Sequence, residues 1–175
     1  QGPAMTRQEA ERAVLTGVEI ARDLCAKGVK LLGTGEMGIG NTTTSSAVAA
    51  VFLDKEPVVM TGRGAGLSSE GLQRKIKAIE TGIAVNKPDP ADPLDVVSKV
   101  GGLDLAGLAG VFLGGALCRV PVLVDGFISS VAALIAARLC PACKDYMLGS
   151  HASDEPASKL VLSELGLEPF LYAGM

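Results

Sequence analysis

A glycine-rich turn that joins a short apolar run to a helical pattern constrains the fold more than any other feature of the sequence. The apolar run covers residues 29–32, the turn 33–40 and the predicted helix 41–53. An apolar run bounded by turns is typical of a buried parallel strand, so the three segments predict a strand–turn–helix unit. With 48% hydrophobic but only 3% aromatic residues, the core around this unit must consist of Ala, Val, Leu and Ile.

The same succession of apolar runs and helical patterns continues along the chain. Because strands and helices alternate, we expect a three-layer, Rossmann-like α/β fold in which helices flank a parallel sheet. The length of 175 residues suits a single domain over 1–175. Further strands are predicted at 57–61, 120–124 and 146–148, and further helices at 6–27, 68–85, 94–100, 104–117, 127–139 and 156–165.

Polar residues at the starts of the predicted helices are candidate N-caps, because their side chains can accept hydrogen bonds from free backbone N–H groups. Thr6 has the clearest pattern, since Glu9 three residues later completes a capping box. The other candidates are Asn41, Ser68, Asp104, Asp125 and Ser153.

Charge and hydropathy exclude several classes of partner. The net charge is −3 and no block of basic residues occurs, so we expect no nucleic-acid binding. No apolar run reaches the roughly 20 residues that a membrane-spanning helix needs. The first residues lead into a charged helix and not into a secretory signal peptide, so we expect a cytoplasmic protein with reduced thiols.

Two of the four cysteines, Cys140 and Cys143, have the spacing of a redox or zinc half-site. A structural zinc site would need a second pair of ligands, and His151 is the one histidine of the chain. The pair also follows a predicted helix, whereas activated thiolates usually lie at a helix N-terminus. We therefore interpret both cysteines as structural and expect neither a metal nor a cofactor.

The first glycine-rich loop is a candidate phosphate site, because ligands of parallel sheets bind beyond the carboxyl ends of the strands. Gly38 and Gly40 would let the backbone approach an anion, and Asn41 and Thr42 begin a helix whose free N–H groups face it. The loop lacks the lysine of a Walker motif and the dinucleotide fingerprint, and an ordinary strand-to-helix turn remains the alternative. Glu36 could bind ribose hydroxyls or deprotonate a nucleophile, or it could be a solvated loop carboxylate.

Two further loops could complete such a site. The turn 62–66, with Gly64, Ala65 and Gly66, could close on the same phosphate, and Lys75 lies on the helix that follows. Asp104 and Asp125 could bind ribose, or they could simply cap helices. His151 near Ser150 and Ser153 could suggest a nucleophile with its base, but no Gly-x-Ser-x-Gly elbow supports a hydrolase.

Several ordered motifs together resemble the nicotinate-nucleotide:dimethylbenzimidazole phosphoribosyltransferase family of cobalamin biosynthesis. The resemblance covers nearly the whole chain, and ordered motifs at consistent separations are more specific than one glycine loop. The motifs are Gly35-Glu36-Met37-Gly38-Ile39-Gly40-Asn41-Thr42-Thr43, Gly62-Arg63-Gly64-Ala65-Gly66-Leu67, Gly101-Gly102-Leu103-Asp104-Leu105-Ala106-Gly107, Val122-Leu123-Val124-Asp125-Gly126-Phe127-Ile128 and Gly149-Ser150-His151.

The resemblance implies a reaction and a set of roles. Nicotinate mononucleotide would donate its 5-phosphoribosyl group to 5,6-dimethylbenzimidazole, giving α-ribazole 5′-phosphate and nicotinate, in a homodimer and without a cofactor. By resemblance, Glu36 and Lys75 act in catalysis, Glu36 lies near base and ribose, and Met37 walls the aromatic ring. The other substrate-binding residues would be Gly38, Ile39, Gly40, Asn41, Thr42, Gly64, Ala65, Gly66, Asp104 and Asp125.

One departure from the family pattern concerns the catalytic base. By resemblance, the general base is a glutamate in a Met-Arg-Leu-Gly-Glu-Gly segment, which would begin where this chain stops at Ala173-Gly174-Met175. We therefore expect a chain truncated at both ends that gives no detectable α-ribazole phosphate alone. A non-catalytic nucleotide- or phosphate-binding module, or a structural remnant, remains the alternative.

Overall fold

The computed structural model describes residues 2–151 and 153–171 and shows an α/β fold in which helices flank a parallel sheet. Three strands form the sheet of the described residues: β1 (Leu32–Gly33), β2 (Val122–Val124) and β3 (Met147–Gly149), in the order β1-β2-β3. Leu32 pairs with Val122, and Val122 with Met147, both in parallel register. The predicted fold class is therefore confirmed. The C-terminal end, where a glutamate-containing segment is expected to begin, lies outside the described residues.

Eight α-helices surround this sheet in the part of the chain that the structure describes. They begin and end within a few residues of the predicted positions, apart from α3. In chain order they are α1 (Arg7–Ala26), α2 (Thr42–Leu53), α3 (Pro57–Met60), α4 (Ser69–Asn86), α5 (Pro93–Val100), α6 (Leu103–Leu117), α7 (Gly126–Leu139) and α8 (Ser158–Leu165), and a 3₁₀ helix covers Pro141–Tyr146.

Aliphatic side chains dominate the core around α7, in which every residue from 127 to 137 is buried. The expectation of a purely aliphatic core is wrong, since Phe52, Phe112 and Phe127 are also buried. Helices α1 and α6 approach each other backbone to backbone. A Cβ atom on Gly17 would overlap the carbonyl oxygen of Gly107, and one on Gly110 would overlap that of Val14. Glycine is therefore required where these two helices touch, and close backbone packing contributes to the core of a chain with only 3% aromatic residues.

One predicted strand is wrong. Residues 57–61 were expected to form a β-strand, but they form the short helix α3, with the amide of Val59 bonded to the carbonyl of Glu56 at 3.0 Å. Pro57 favours this outcome because its fixed φ suits the first position of a helix. Val58 and Val59 are exposed, and only Met60 of α3 reaches the core. The turn 62–66 therefore follows a helix and not a strand.

The length and hydropathy of the helices were compared with those of membrane-spanning helices. Within residues 2–151 and 153–171, none of the helices is both long enough and apolar enough to cross a membrane.

Candidate functional site

The acidic side of the site consists of Glu36, Asn41 and Asp104, which the loop after β1 and the start of α6 bring together. The Asn41 side-chain amide donates hydrogen bonds to Glu36 Oε2 at 2.6 Å and to Asp104 Oδ2 at 2.8 Å. Glu36 also accepts the backbone N–H of Gly38 and so ties the loop to itself. A single amide group thus holds two carboxylates close together. Such a pair can accept hydrogen bonds from ribose hydroxyls or stabilise a developing positive charge.

The side-chain oxygen of Asn41 is a free hydrogen-bond acceptor in the described structure. Its Oδ1 atom is buried and, within the described residues, has no hydrogen-bond partner. Asn41 occupies the residue before α2, yet its side chain makes no capping hydrogen bond. The capping role expected from the sequence is therefore wrong: Glu36 and Asp104 fix the orientation of the side chain through Nδ2, and Oδ1 accepts none of the free N–H groups of α2.

The basic side consists of Thr42, Gly62, Gly64 and Lys75. Lys75 of α4 donates hydrogen bonds to Thr42 Oγ1 at 2.9 Å and to the carbonyl oxygen of Gly62 at 3.0 Å. Gly64 has φ +54, and a Cβ at this position would lie 2.9 Å from Thr42 Oγ1. The two glycine-rich loops therefore meet at the N-terminus of α2, although the second loop follows a helix.

Burial distinguishes Lys75 from the other lysines near it. Its residue surface is only 7% exposed, whereas the side chain of Lys77 on the same helix is 76% exposed. Desolvation lowers the pKa of Lys75 below its ordinary value, and the nearby charge of Glu155 opposes this shift. An ammonium kept in such a place, with two neutral oxygen acceptors, is poised to gain an anionic partner.

The backbone around these side chains adds donors without side-chain obstruction. Gly38 and Gly40 have φ values of +74 and +82, and nothing lies within 4 Å of a Cβ built on either residue. The first N–H groups of the 12-residue helix α2 begin beside them. Free amides at a helix N-terminus, together with the helix dipole, favour a bound anion.

Asp125 and His151 lie at the carboxyl ends of β2 and β3, next to the first loop. A Cβ on Gly35 would lie 3.5 Å from Asp125 Oδ2, so Asp125 borders that loop. His151 Nδ1 is 3.0 Å from Ser150 Oγ and 3.6 Å from Asp125 Oδ1. A serine-hydrolase triad needs the serine and the acid on different ring nitrogens, whereas both contact Nδ1 here. The hydroxyl of Ser150 is also bonded to the carbonyl of Val124, so the geometry does not support a hydrolase.

Several predicted site residues are exposed at the rim. Met37 is 83% and Ile39 79% exposed, and Ala65 and Gly66 also lie on the surface. Large apolar side chains with this exposure are available to cover an aromatic ring. The structure places all four on the two loops that carry the polar groups of the site.

Some of the other predicted N-caps are present in the structure and others are not. Thr6 and Glu9 form the predicted capping box, and Ser68 accepts from the amide of Gly71. The capping roles of Asp104, Asp125 and Ser153 are wrong. Gly102 precedes α6, Asp125 precedes α7 without a capping hydrogen bond, and Ala157 precedes α8.

The paired cysteines do not resemble a reactive site. Cys143 is buried in the 3₁₀ helix, and burial raises the pKa of its thiol to about 12, which opposes thiolate formation. Among the described residues, no group of three or more His, Cys, Asp or Glu side chains is placed to hold a metal ion.

Sequence reasoning missed Glu155, which contacts the turn 62–66 from a distant part of the chain. Its Oε1 atom accepts the backbone N–H of Gly64 at 2.9 Å, across 91 positions of sequence. Residues 156–165 were expected to be one helix, but α8 begins only at Ser158. No local pattern identifies Glu155, because its role depends on tertiary packing.

The chain is similar to known proteins over its whole length. The family model described as "Phosphoribosyltransferase" matches residues 1–175. The nicotinate-nucleotide–dimethylbenzimidazole phosphoribosyltransferase of Acetivibrio thermocellus is 58% identical over 175 residues, and that of Ruminiclostridium cellulolyticum is 54% identical. All of this chain aligns with each of them, but it spans only about half of their length, 50% in both cases.

Solved structures agree with the sequence comparison. The crystal structure of CobT from Thermus thermophilus superimposes with a TM-score of 0.95 at 42% identity, over 100% of this chain and 52% of that one. At this level of identity and overlap, the likeness extends beyond the fold to the family.

Proposed function

Because this chain belongs to the phosphoribosyltransferase family whose curated members are named nicotinate-nucleotide–dimethylbenzimidazole phosphoribosyltransferase, we propose that it binds the phosphoribosyl group that such enzymes transfer. In the proposed reaction, nicotinate mononucleotide donates its 5-phosphoribosyl group to 5,6-dimethylbenzimidazole and nicotinate leaves. The observation that carries the proposal is the meeting of the acidic and basic sides at Asn41 and Thr42. The phosphate of the donor is anionic and matches the basic side, whereas its ribose carries hydroxyls and matches the acidic side.

The phosphate is proposed to bind on the basic side. Lys75 supplies the positive charge, and Gly38, Gly40 and the first turn of α2 supply unobstructed amides. Gly64, Ala65 and Gly66 would cover the phosphate from the second loop. Charge-assisted hydrogen bonds of this kind are about twice as strong as neutral ones, so most of the binding energy should arise here.

The ribose is proposed to bind on the acidic side, where Glu36, Asn41 and Asp104 face its hydroxyls. During transfer a ring nitrogen of the base attacks the anomeric carbon while the bond to nicotinate breaks, and positive charge develops on the sugar. Carboxylates already held in place stabilise such charge without reorganising. Positioning and electrostatics would therefore supply most of the catalytic effect.

The aromatic base is proposed to lie at the exposed rim. Met37 and Ile39 offer apolar surface, and Asp125 offers a carboxylate beside Gly35. This arrangement would let a planar ring stack while its nitrogen faces the sugar.

A second candidate function is nucleotide binding without turnover. It is favoured by one observation: Glu36 and Asp104 both accept hydrogen bonds from Asn41, which suits carboxylates that bind hydroxyls better than a free general base. Calorimetry with nicotinate mononucleotide, followed by a product assay with dimethylbenzimidazole, separates the two. Binding with product supports the transferase, and binding without product supports the module.

Calorimetry also tests the assignment of the two sides. Nicotinate mononucleotide should bind, ribose 5-phosphate should bind more weakly, and nicotinate alone should not bind measurably. If nicotinate bound as well as its mononucleotide, the sugar-phosphate assignment would be wrong.

We also propose a homodimer and a cytoplasmic location. Exposed apolar residues such as Leu15, Ile20 and Leu117 are available for association. The four cysteines are all free thiols, which suits a reducing compartment. Light scattering coupled to gel filtration tests the first proposal, and cell fractionation tests the second.

A further inference from the structure

Glu155 reaches into the turn 62–66 from the segment before α8. Its Oε1 atom accepts the Gly64 N–H at 2.9 Å, while Oε2 is buried and has no hydrogen-bond partner among the described residues. A Cβ on Gly62 would overlap Oε2 and would come within 2.7 Å of Pro156 Cδ. The carboxylate therefore packs directly on the Cα atom of Gly62.

Gly62 connects Glu155 with Lys75. The carbonyl oxygen of Gly62 accepts a hydrogen bond from Lys75 Nζ at 3.0 Å, while its Cα atom supports the Glu155 carboxylate. The positive and the negative group thus contact the same residue without forming a direct ion pair. The hydrogen-bonding capacity of the ammonium toward an incoming anion is preserved, because its remaining donor is not taken by the carboxylate.

We propose that Glu155 is a positioning residue for Lys75: it fastens the turn 62–66 through Gly64 and supplies the counter-charge that keeps a buried ammonium beside Thr42. This inference rests on the proposed function in one respect, that Lys75 binds the phosphate. The role of the charge itself does not depend on any ligand.

The surroundings of Lys75 make Glu155 the relevant counter-charge. Helices α2 and α3, which pack against α4, contain no charged side chain. The charged side chains on neighbouring segments are turned to other partners or to solvent. They are Arg63, which donates to Leu67 O and Ser69 Oγ; Asp95 and Lys99 of α5, which pair at 2.8 Å; Glu36 and Asp104, which accept from the Asn41 amide; Glu80, which lies 3.5 Å from Lys77; and the exposed Glu70, Arg74, Lys77 and Asp154.

The substitution Glu155→Gln separates charge from hydrogen bonding, because a glutamine oxygen can still accept the Gly64 N–H. Asp154→Asn is the matched control, since it removes the same charge from the neighbouring, exposed position. The titration of Lys75 is followed by NMR of the ¹³Cε resonance in protein labelled at lysine, assigned by its loss in Lys75→Arg. Lys75 should lose its proton at lower pH in Glu155→Gln than in the wild type, and Asp154→Asn should not change the titration.

Rescue by a shorter carboxylate completes the experiment. Glu155→Asp retains the charge and should restore most of the wild-type titration. An unchanged Lys75 titration in folded Glu155→Gln, or an equal downward shift in Glu155→Asp, would overturn the proposal. If Glu155→Gln does not fold, as judged by circular dichroism, the isosteric pair Glu155→Asp and Glu155→Asn replaces it. Lys75 should lose its proton at lower pH in Glu155→Asn than in Glu155→Asp, and equal titrations would overturn the proposal.

A binding measurement connects this result to function. With nicotinate mononucleotide as the probe, Glu155→Gln should bind about threefold to tenfold more weakly than Asp154→Asn at alkaline pH, with a smaller difference near neutral pH. A loss of equal size at all pH values would indicate a structural role only and would contradict the proposal. If the wild type also failed to bind, the proposed function would be wrong, while the Lys75 titration would still test Glu155.

Discussion

The acidic and basic sides of the site meet at adjacent residues but are built differently. On the acidic side, Glu36 is exposed and is held by hydrogen bonds within its own loop and from Asn41. On the basic side, Lys75 is buried and is enclosed by α2, α4 and the segment that carries Glu155. An exposed carboxylate can therefore be held by contacts within its own loop, whereas a buried ammonium needs partners from distant segments.

The largest expected effect concerns the basic side. Lys75→Met keeps the length of the side chain but removes its charge, so the affinity for nicotinate mononucleotide should fall by about 100-fold, or about 2.7 kcal/mol. The free energy of unfolding should change by less than about 1 kcal/mol, because relief from burying the ammonium offsets two lost hydrogen bonds. Calorimetry and urea denaturation measure the two quantities.

The matched control for this change is Lys77→Met, on the exposed face of the same helix. It should leave the affinity within about twofold of wild type, because surface charges contribute little. Equal losses in both variants would mean that burial gives Lys75 no special role, and the contrast between the two sides would disappear.

Asn41→Asp is expected to have the next largest effect, on the acidic side. It replaces the amide donor with a third carboxylate beside Glu36 and Asp104, which should destabilise the fold by about 2 kcal/mol at neutral pH. The loss should shrink as salt screens the repulsion between the carboxylates. Asn86→Asp is the control, because the Asn86 amide donates to the carbonyl of Gly82 and, among the described residues, to no carboxylate. Urea denaturation at several salt concentrations distinguishes charge repulsion from a loss of packing.

Gly62→Ala is expected to have a smaller effect on the basic side. The added methyl group must displace Glu155 or Pro156, at a cost of about 1 to 2 kcal/mol in stability. Gly82→Ala is the control, because nothing lies within 4 Å of a Cβ there and alanine favours a helix by about 1 kcal/mol. The two changes should therefore shift the thermal midpoint in opposite directions, and a parallel shift would contradict the proposed packing of Glu155 on Gly62.

The same contrast between local and distant contacts explains what the sequence could predict. The fold class and most helices followed from periodicity and turn residues, which act within about ten positions. The segment 57–61 was the exception, because its short apolar run suggested a strand while Pro57 favours the first position of a helix. Composition alone cannot decide such a short apolar run.

Site prediction divided along the same line. Glu36 and Asn41 lie in one loop and Thr42 begins the helix that follows it, so motif spacing could group them together. Glu155 acts across 91 positions, and neither its spacing nor its neighbours distinguish it from a solvated glutamate. The roles of Asp104 and Asp125 as helix caps were also wrong, since local propensity could not foresee Asn41 or the neighbouring loop.

The smallest expected effect is the pH dependence of the basic side. Below the lowered pKa of Lys75, both the folded and the unfolded chain carry its proton, and the cost of burying the charge is fully present. Between that pKa and the ordinary value of 10.5, the unfolded chain binds more protons than the folded chain, so the contribution of Lys75 to stability rises with pH. Above pH 10.5 this contribution no longer changes. The unfolding free energy of the wild type should therefore rise relative to Lys75→Met through this window.

Since a bound phosphate would raise the pKa of Lys75 again, calorimetry in two buffers of different ionisation enthalpy should also show proton uptake on binding in this window. Proton uptake that persists in Lys75→Met would assign the titrating group to another residue and would remove the electrostatic distinction between the two sides.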